Sequence, residues 1–210
     1  MPYVLTVDQR DSRNLPDAVD EAMAALSTLD TLLGFERTIG DEFQGLLDDP
    51  LSVVTAMLEL MRSNQWHIGL GIGPVDTPLP ADTRSGRGPA FVAARTAVDQ
   101  AKREVTHVSF VGAPPAEEAT RDAEVVLQLL ATIRERRSEQ GWDAVDLMNA
   151  GATMAEVAET LKISRQAVGQ RLAAANWAVE SDALPVLARL LDRAEAISTG
   201  RKAATGGAGR

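Results

Sequence analysis

The sequence predicts two domains of different class, an α+β domain followed by an all-α one. Three observations carry this. Strand and helix periodicities alternate through residues 1–115, while a run of short helical stripes with cap residues between them occupies 144–177. The charge divides the same way: positions 1–120 hold 9 Lys/Arg against 18 Asp/Glu, and 121–210 hold 12 against 12, giving the net −9. At 210 residues and 45% hydrophobic composition, the chain is long and apolar enough to bury two small cores.

In the first domain, residues 3–7 (YVLTV) are a buried strand, and Val19, Met23, Leu26, Leu29 and Leu33 give helical spacing over 15–33. Residues 35–47 form a hairpin turning at Gly40-Asp41. A helix over 51–61 carries Val53, Val54, Met57, Leu58 and Met61; a strand follows at 66–75, a helix at 90–103 and a strand at 106–111. This order predicts an α+β sandwich with helices on one sheet face. Pro114-Pro115 closes the domain, and residues 117–137 are one helix within a 116–140 linker, with Val125, Val126, Leu129, Leu130 and Ile133 as its stripe. That stripe suits either transmission between domains or a dimer seam.

In the second domain, residues 141–198, Thr153 caps a helix over 154–161, Lys162 and Ile163 make a tight turn, and Ser164 caps a second helix to about 175. Val157, Leu161, Ile163, Val168 and Leu172 form the shared seam, with Ala158 at a close helix crossing. The second helix then presents Ser164, Arg165, Gln166, Gly169 and Gln170 outward, with Arg171 beside them. A guanidinium, amides and a hydroxyl on one helical surface match the donors and acceptors of a major groove. The segment EVAETLKISRQAVGQRL resembles the helix-turn-helix of bacterial transcription regulators, except that Lys162 stands where the turn often has Gly. The partner so implied is double-stranded DNA; a trihelical module for protein contact alone is the other reading. An amphipathic helix over 182–197, with Leu184, Leu187, Leu190, Leu191 and Ala194 on one side, wants a partner, and palindromic sites favour a homodimer. The Gly-rich basic end, 199–210, is expected to be a disordered tail.

Asp8 at the end of the first strand and RTIGD at 37–41 resemble the pattern by which class III nucleotide cyclases set two metal-binding aspartates side by side. GDEF at 40–43 is similar to the diguanylate cyclase signature, with Ile39 in place of its first Gly. In GPAFVAAR, Arg95 matches the cyclase transition-state Arg, and Phe91 stands where an Asn is expected. DEFQGLL and GPAFVAARTA give the broadest match, to the SatD-like family, over nearly the whole chain. This resemblance implies a nucleotide-cyclase-like α/β sandwich with a ferredoxin-like core, then the helix-turn-helix. It also implies a ligand site of Asp8, Arg37, Asp41 and Arg95, where Asp8 and Asp41 would hold Mg²⁺ with a nucleotide's phosphates. As a bland alternative, the two aspartates make turn hydrogen bonds. Arg84-Ser85-Gly86-Arg87-Gly88 could wrap phosphates or remain a solvated loop, and His67 and His107 have no ligand spacing.

With no Cys there is neither disulfide nor thiolate chemistry, and no run of 18 apolar residues is present. A cytoplasmic protein without a membrane partner is expected. The function implied is a DNA-binding transcriptional regulator whose degenerate cyclase-like domain senses a ligand, a purine or cyclic nucleotide, without being an enzyme. The alternatives are a metal-dependent nucleotide cyclase or nucleotidyltransferase that docks through its helix-turn-helix, and a non-catalytic dimerisation scaffold.

Overall fold

A computed structural model describes residues 2–201; the expected tail falls almost wholly outside them. The chain is a mixed α and β structure dividing into two compact units, Met1–Gln128 with Val186–Arg210, and Leu129–Pro185.

The first unit is built on a five-stranded mixed sheet in the order β2-β3-β1-β4-β5. Its strands are β1 (Tyr3–Gln9), β2 (Leu33–Arg37), β3 (Glu42–Leu47), β4 (Trp66–Ile72) and β5 (Val108–Gly112). β1 runs antiparallel to both β3 and β4, β2 and β3 form a hairpin, and β4 and β5 are parallel. Helices α1 (Val19–Leu26), α2 (Pro50–Arg62) and α3 (Pro89–Ala101) connect them. Asp49 caps α2 from its carboxylate to Ser52 N at 2.8 Å, and Pro50 occupies the first turn, where its missing N–H costs nothing.

The helices cover both sheet faces, which corrects the one-faced sandwich expected above. Gly69 and Gly71 of β4 have no side chain, and α3 lies directly on them. A Cβ on Gly71 would come within 2.1 Å of Ala90 O, and one on Gly69 within 2.2 Å of Val98 N. Val4, Leu46, Phe91 and Ala94 share this face in a buried cluster. The alternate residues, Ile68, Leu70 and Ile72, point to the other face with Tyr3, Leu5, Phe43 and Leu47, all essentially inaccessible. There α1 and α2 pack, and so does α4 (Glu117–Glu135), whose Thr120 occupies the space a Cβ on Gly112 would need. The parallel β4–β5 pair requires a crossover, and α3 supplies it on the face that α1 and α2 leave open.

The helix expected over 15–33 is much shorter. Asp11, with φ 51, starts a turn that Leu15 N closes on Asp11 O, and the Gln9 side chain clamps the segment through Pro16 O (2.7 Å) and Ala18 N (3.0 Å). Leu33 belongs to β2, opposite Leu46, so the last residue of the supposed helical stripe is a strand residue.

The second unit contains α5 (Glu139–Asn149), α6 (Met154–Thr160) and α7 (Arg165–Ala174), packed around Ala144, Val145, Val157, Ala158, Val168, Leu172 and Ala175. α8 (Trp177–Thr199) has Pro185 within it, and the division between units falls there, so α4 and α8 each contribute to both units. From α8, Leu187, Leu191 and Ala194 are fully buried. Within the second unit, the Glu180 carboxylate joins Arg134 and Arg137, and both guanidiniums stack on Trp142, at 4.7 and 4.4 Å from its ring centroid. No described helix is long and apolar enough to cross a membrane.

Candidate functional site

The α6–α7 pair is fixed at both helix starts. The Thr153 hydroxyl accepts from Glu156 N, and the Glu156 carboxylate accepts from Thr153 N at 2.7 Å, completing a capping box. These bonds, first from the Thr153 backbone N–H and then from its hydroxyl, hold the Glu156 carboxyl below its usual range. Ser164 Oγ accepts from Ala167 N at 3.1 Å. Between them Lys162 takes φ 53, the left-handed conformation for which Gly is the usual residue. Ile163 N then bonds to Ala158 O at 3.0 Å, closing the turn.

With Val168 and Leu172 buried, Ser164, Arg165, Gln166 and Gln170 are all solvent-exposed. Arg171 is half-buried at the margin. Gly169 is half-buried too and turns towards α6, where a Cβ would meet Met154 Cε at an ordinary 3.5 Å. Gly169 is therefore not an outward gap for a ligand's close approach. Leu129–Pro185 carries 6 Lys/Arg against 8 Asp/Glu, and two of those arginines, Arg134 and Arg137, are engaged by buried Glu180. The cations left for a polyanion are Arg136, Lys162, Arg165 and Arg171.

The four ligand residues expected in the first unit are not gathered. Register pairs Asp8 with Glu42, not Asp41; Asp41 lies in the turn, its carbonyl accepting from Gln9 N at 3.2 Å. Arg95 of α3 reaches buried Glu42, which also accepts from Thr38 Oγ1 at 2.8 Å. Lys102 Nζ lies 3.2 Å from Asp8. Arg37 sits apart from these: its guanidinium grips Asp17 at 2.8 and 2.9 Å, and reaches Asp20 and Gly40 O. Hydrogen bonds from Arg37 hold Asp17 below its usual range and raise Arg37 in turn. Asp8 and Glu42 each have a protein cation, Lys102 and Arg95, and no group of three or more metal-ligating side chains occurs among the described residues.

Phe91 fills the place where the cyclase-like pattern expects an Asn. Its ring lies where a Cβ on Gly86 would be, within 2.1 Å. The Arg84–Gly88 loop is thus seated on apolar packing, with Thr83 buried and bonded to Gly34 O (2.6 Å) and Glu36 Oε2 (3.1 Å). Sequence reasoning missed Glu42 and Lys102 as the partners of Arg95 and Asp8. Counting strand alternation back from Phe43 would have found Glu42. It also missed that His67 and His107 stack edge-to-face at 5.0 Å; desolvation first, and His107 second, pull His67 below its usual value. No protein family, curated protein or solved structure matches this chain. Function must therefore be argued from the site itself.

Proposed function

We propose that the chain is a DNA-binding transcriptional regulator in which α6 and α7 form a helix-turn-helix, and the sheet unit is a non-catalytic, cyclase-like ligand-sensing domain. The carrying observation is the capped α6–α7 pair, whose α7 exposes Ser164, Arg165, Gln166 and Gln170 while Val168 and Leu172 anchor it from behind. A cyclase-like architecture is supported by the order β2-β3-β1-β4 with α1 and α2 on one face, the ferredoxin-like arrangement, to which α3 and β5 add a crossover. Non-catalysis is supported by Phe91 in the Asn position and by Arg95 being held by Glu42. In this reading a nucleotide phosphate competes with Glu42 for Arg95. The weak cationic complement of the helical unit favours a homodimer on a palindromic site, where two copies double the contacts.

The test is fluorescence anisotropy with fragments selected from genomic DNA, titrated with salt and repeated with purine and cyclic nucleotides. Sequence-selective binding is expected, shifted by a nucleotide through a coupling of about 1–3 kcal/mol. Binding with no sequence preference under any of these conditions would leave the trihelical unit as a protein-contact module.

A further inference from the structure

Helix α4 is apolar on two opposite sides. Ala123, Leu127 and Leu130 are buried, whereas Val125 and Leu129, one turn apart, are 40% and 61% exposed. A surface helix needs a single apolar stripe, the one it lays on its own core. The second stripe wants a partner of its own.

In full, that side of the helix reads Glu118, Asp122, Val125, Leu129, Thr132 and Arg136, all exposed and spaced alternately by four and three. Arg136 stands just past the last residue of α4. This 3.5-residue period is the one by which two helices keep a seam in register along their length.

The order of the six residues identifies the partner. They fall into pairs equidistant from position 127: Val125 with Leu129, Asp122 with Thr132, and Glu118 with Arg136. A two-fold axis crossing α4 at that level lays a second α4 antiparallel on the first, and each residue then meets the other member of its pair. Val125 packs on Leu129 of the second copy at the centre, and Glu118 faces Arg136 at both ends. Beside the seam, Arg121, bonded to Glu124 within its own helix, comes opposite Glu135. Parallel pairing would instead set Glu118 on Glu118 and Arg136 on Arg136, repulsive at both ends.

From this self-complementary pattern we infer that the occupant is a second copy of the chain, paired antiparallel through Val125 and Leu129, with Glu118 of each copy against Arg136 of the other. Arg136, counted above among the cations open to a polyanion, faces a carboxylate once the dimer forms. The inference rests on the homodimer of the regulator reading and names its surface. Self-association is measured without DNA, so either proposal can fail alone.

Sedimentation equilibrium of the full chain over a concentration series tests it. A seam one helix long is at the small end of specific interfaces, so a reversible monomer–dimer equilibrium at micromolar concentrations or above is expected. Leu129→Glu weakens the dimer by about tenfold or more, and the milder Leu129→Ala weakens it in the same direction. Circular dichroism shows both variants folded, because the side chain they change is exposed. Glu118→Arg and Arg136→Glu each place like charges at both ends of the seam and weaken the dimer about fivefold. The two changes made together in one chain restore opposite charges in the antiparallel pair, and return the affinity to within about twofold of the original. A chain that stays monomeric at about 500 μM overturns the inference and leaves the stripe to a different protein. So does a dimer indifferent to Leu129→Glu, or a doubly swapped chain no tighter than the single swaps.

Discussion

Replacing Arg165 with Ala separates base reading from general attraction to phosphate. Arg165 lies in the first turn of α7, exposed, immediately after the Ser164 cap, and makes no side-chain bond to another described residue. Its loss should leave folding untouched, since Arg and Ala are both good helix formers. If its guanidinium pairs with a guanine edge, the specific complex loses about 1–3 kcal/mol, a factor of roughly 5 to 150 in affinity. The salt dependence gives a second, independent reading. With Arg165 at a base edge, Arg136, Lys162 and Arg171 are the cations of Leu129–Pro185 left for phosphates, so the slope of log K against log salt should be no steeper than about −3 per copy, at about 0.9 per phosphate neutralised. Arg165→Ala should keep that slope while relaxing preference at one base pair; Lys162→Ala should reduce the slope by about 1 and leave preference alone. Anisotropy with a selected site and a scrambled one, across a salt series, measures both. Unchanged affinity and preference in Arg165→Ala, Gln166→Ala and Gln170→Ala would refute the assignment of α7 as the reading helix.

Lys162→Gly should stabilise the helical unit by about 0.5–1 kcal/mol in urea denaturation, because the left-handed φ of 53 strains Lys and not Gly. Gly71→Ala should cost about 3 kcal/mol or prevent folding of the sheet unit, since its Cβ would meet backbone atoms of α3 at 2.1 and 2.3 Å; circular dichroism on melting reports it, and a neutral result would misplace α3. The capping box should depend on pH in one direction. Because the Glu156 pKa is lowered by folding, its contribution is complete above the ordinary Glu range and fades as pH falls through the lowered value, and Thr153→Ala should return the Glu156 titration, followed by NMR, towards its ordinary midpoint.

Where local chemistry decides, the structure was legible in the sequence. Thr153 and Ser164 are caps because only a short side-chain oxygen can satisfy the orphan N–H groups of the following turn, and both do so. The turn of the β2–β3 hairpin at Gly40-Asp41 follows from Gly40 taking φ 60. The first helix failed for a physical reason. Leu29 and Leu33 continue a helical period by coincidence, but Gln9, held at the end of β1, fastens residues 16 and 18, and β3 needs Leu33 as a cross-strand partner for Leu46. Tertiary pairing outweighs a period that short. The two-faced layering was also hidden, although Gly69 and Gly71 in alternate positions of β4 were its signal. A strand carrying two glycines on one face invites a helix to lie close against it.

The ligand set shows why residue types at family-like spacing do not assemble a site. A strand's faces alternate with period two, so the identity of Asp8's neighbour depends on a single residue of hairpin register. Here that register gives Glu42, and the consequence extends to every charge nearby. Glu42, buried and sharing a face with α3, draws Arg95; Asp8, on the same face, draws Lys102 from the end of that helix. Arg37 pairs with Phe43, on the alternate face, and so meets Asp17 just before α1 and Asp20 in its first turn instead. The motif preserves the composition of a phosphate site, but the pairing spends its cations on the protein's own carboxylates. An anionic ligand at Arg95 must therefore outcompete a carboxylate already desolvated beside it, a much harder task than occupying an empty cationic cleft.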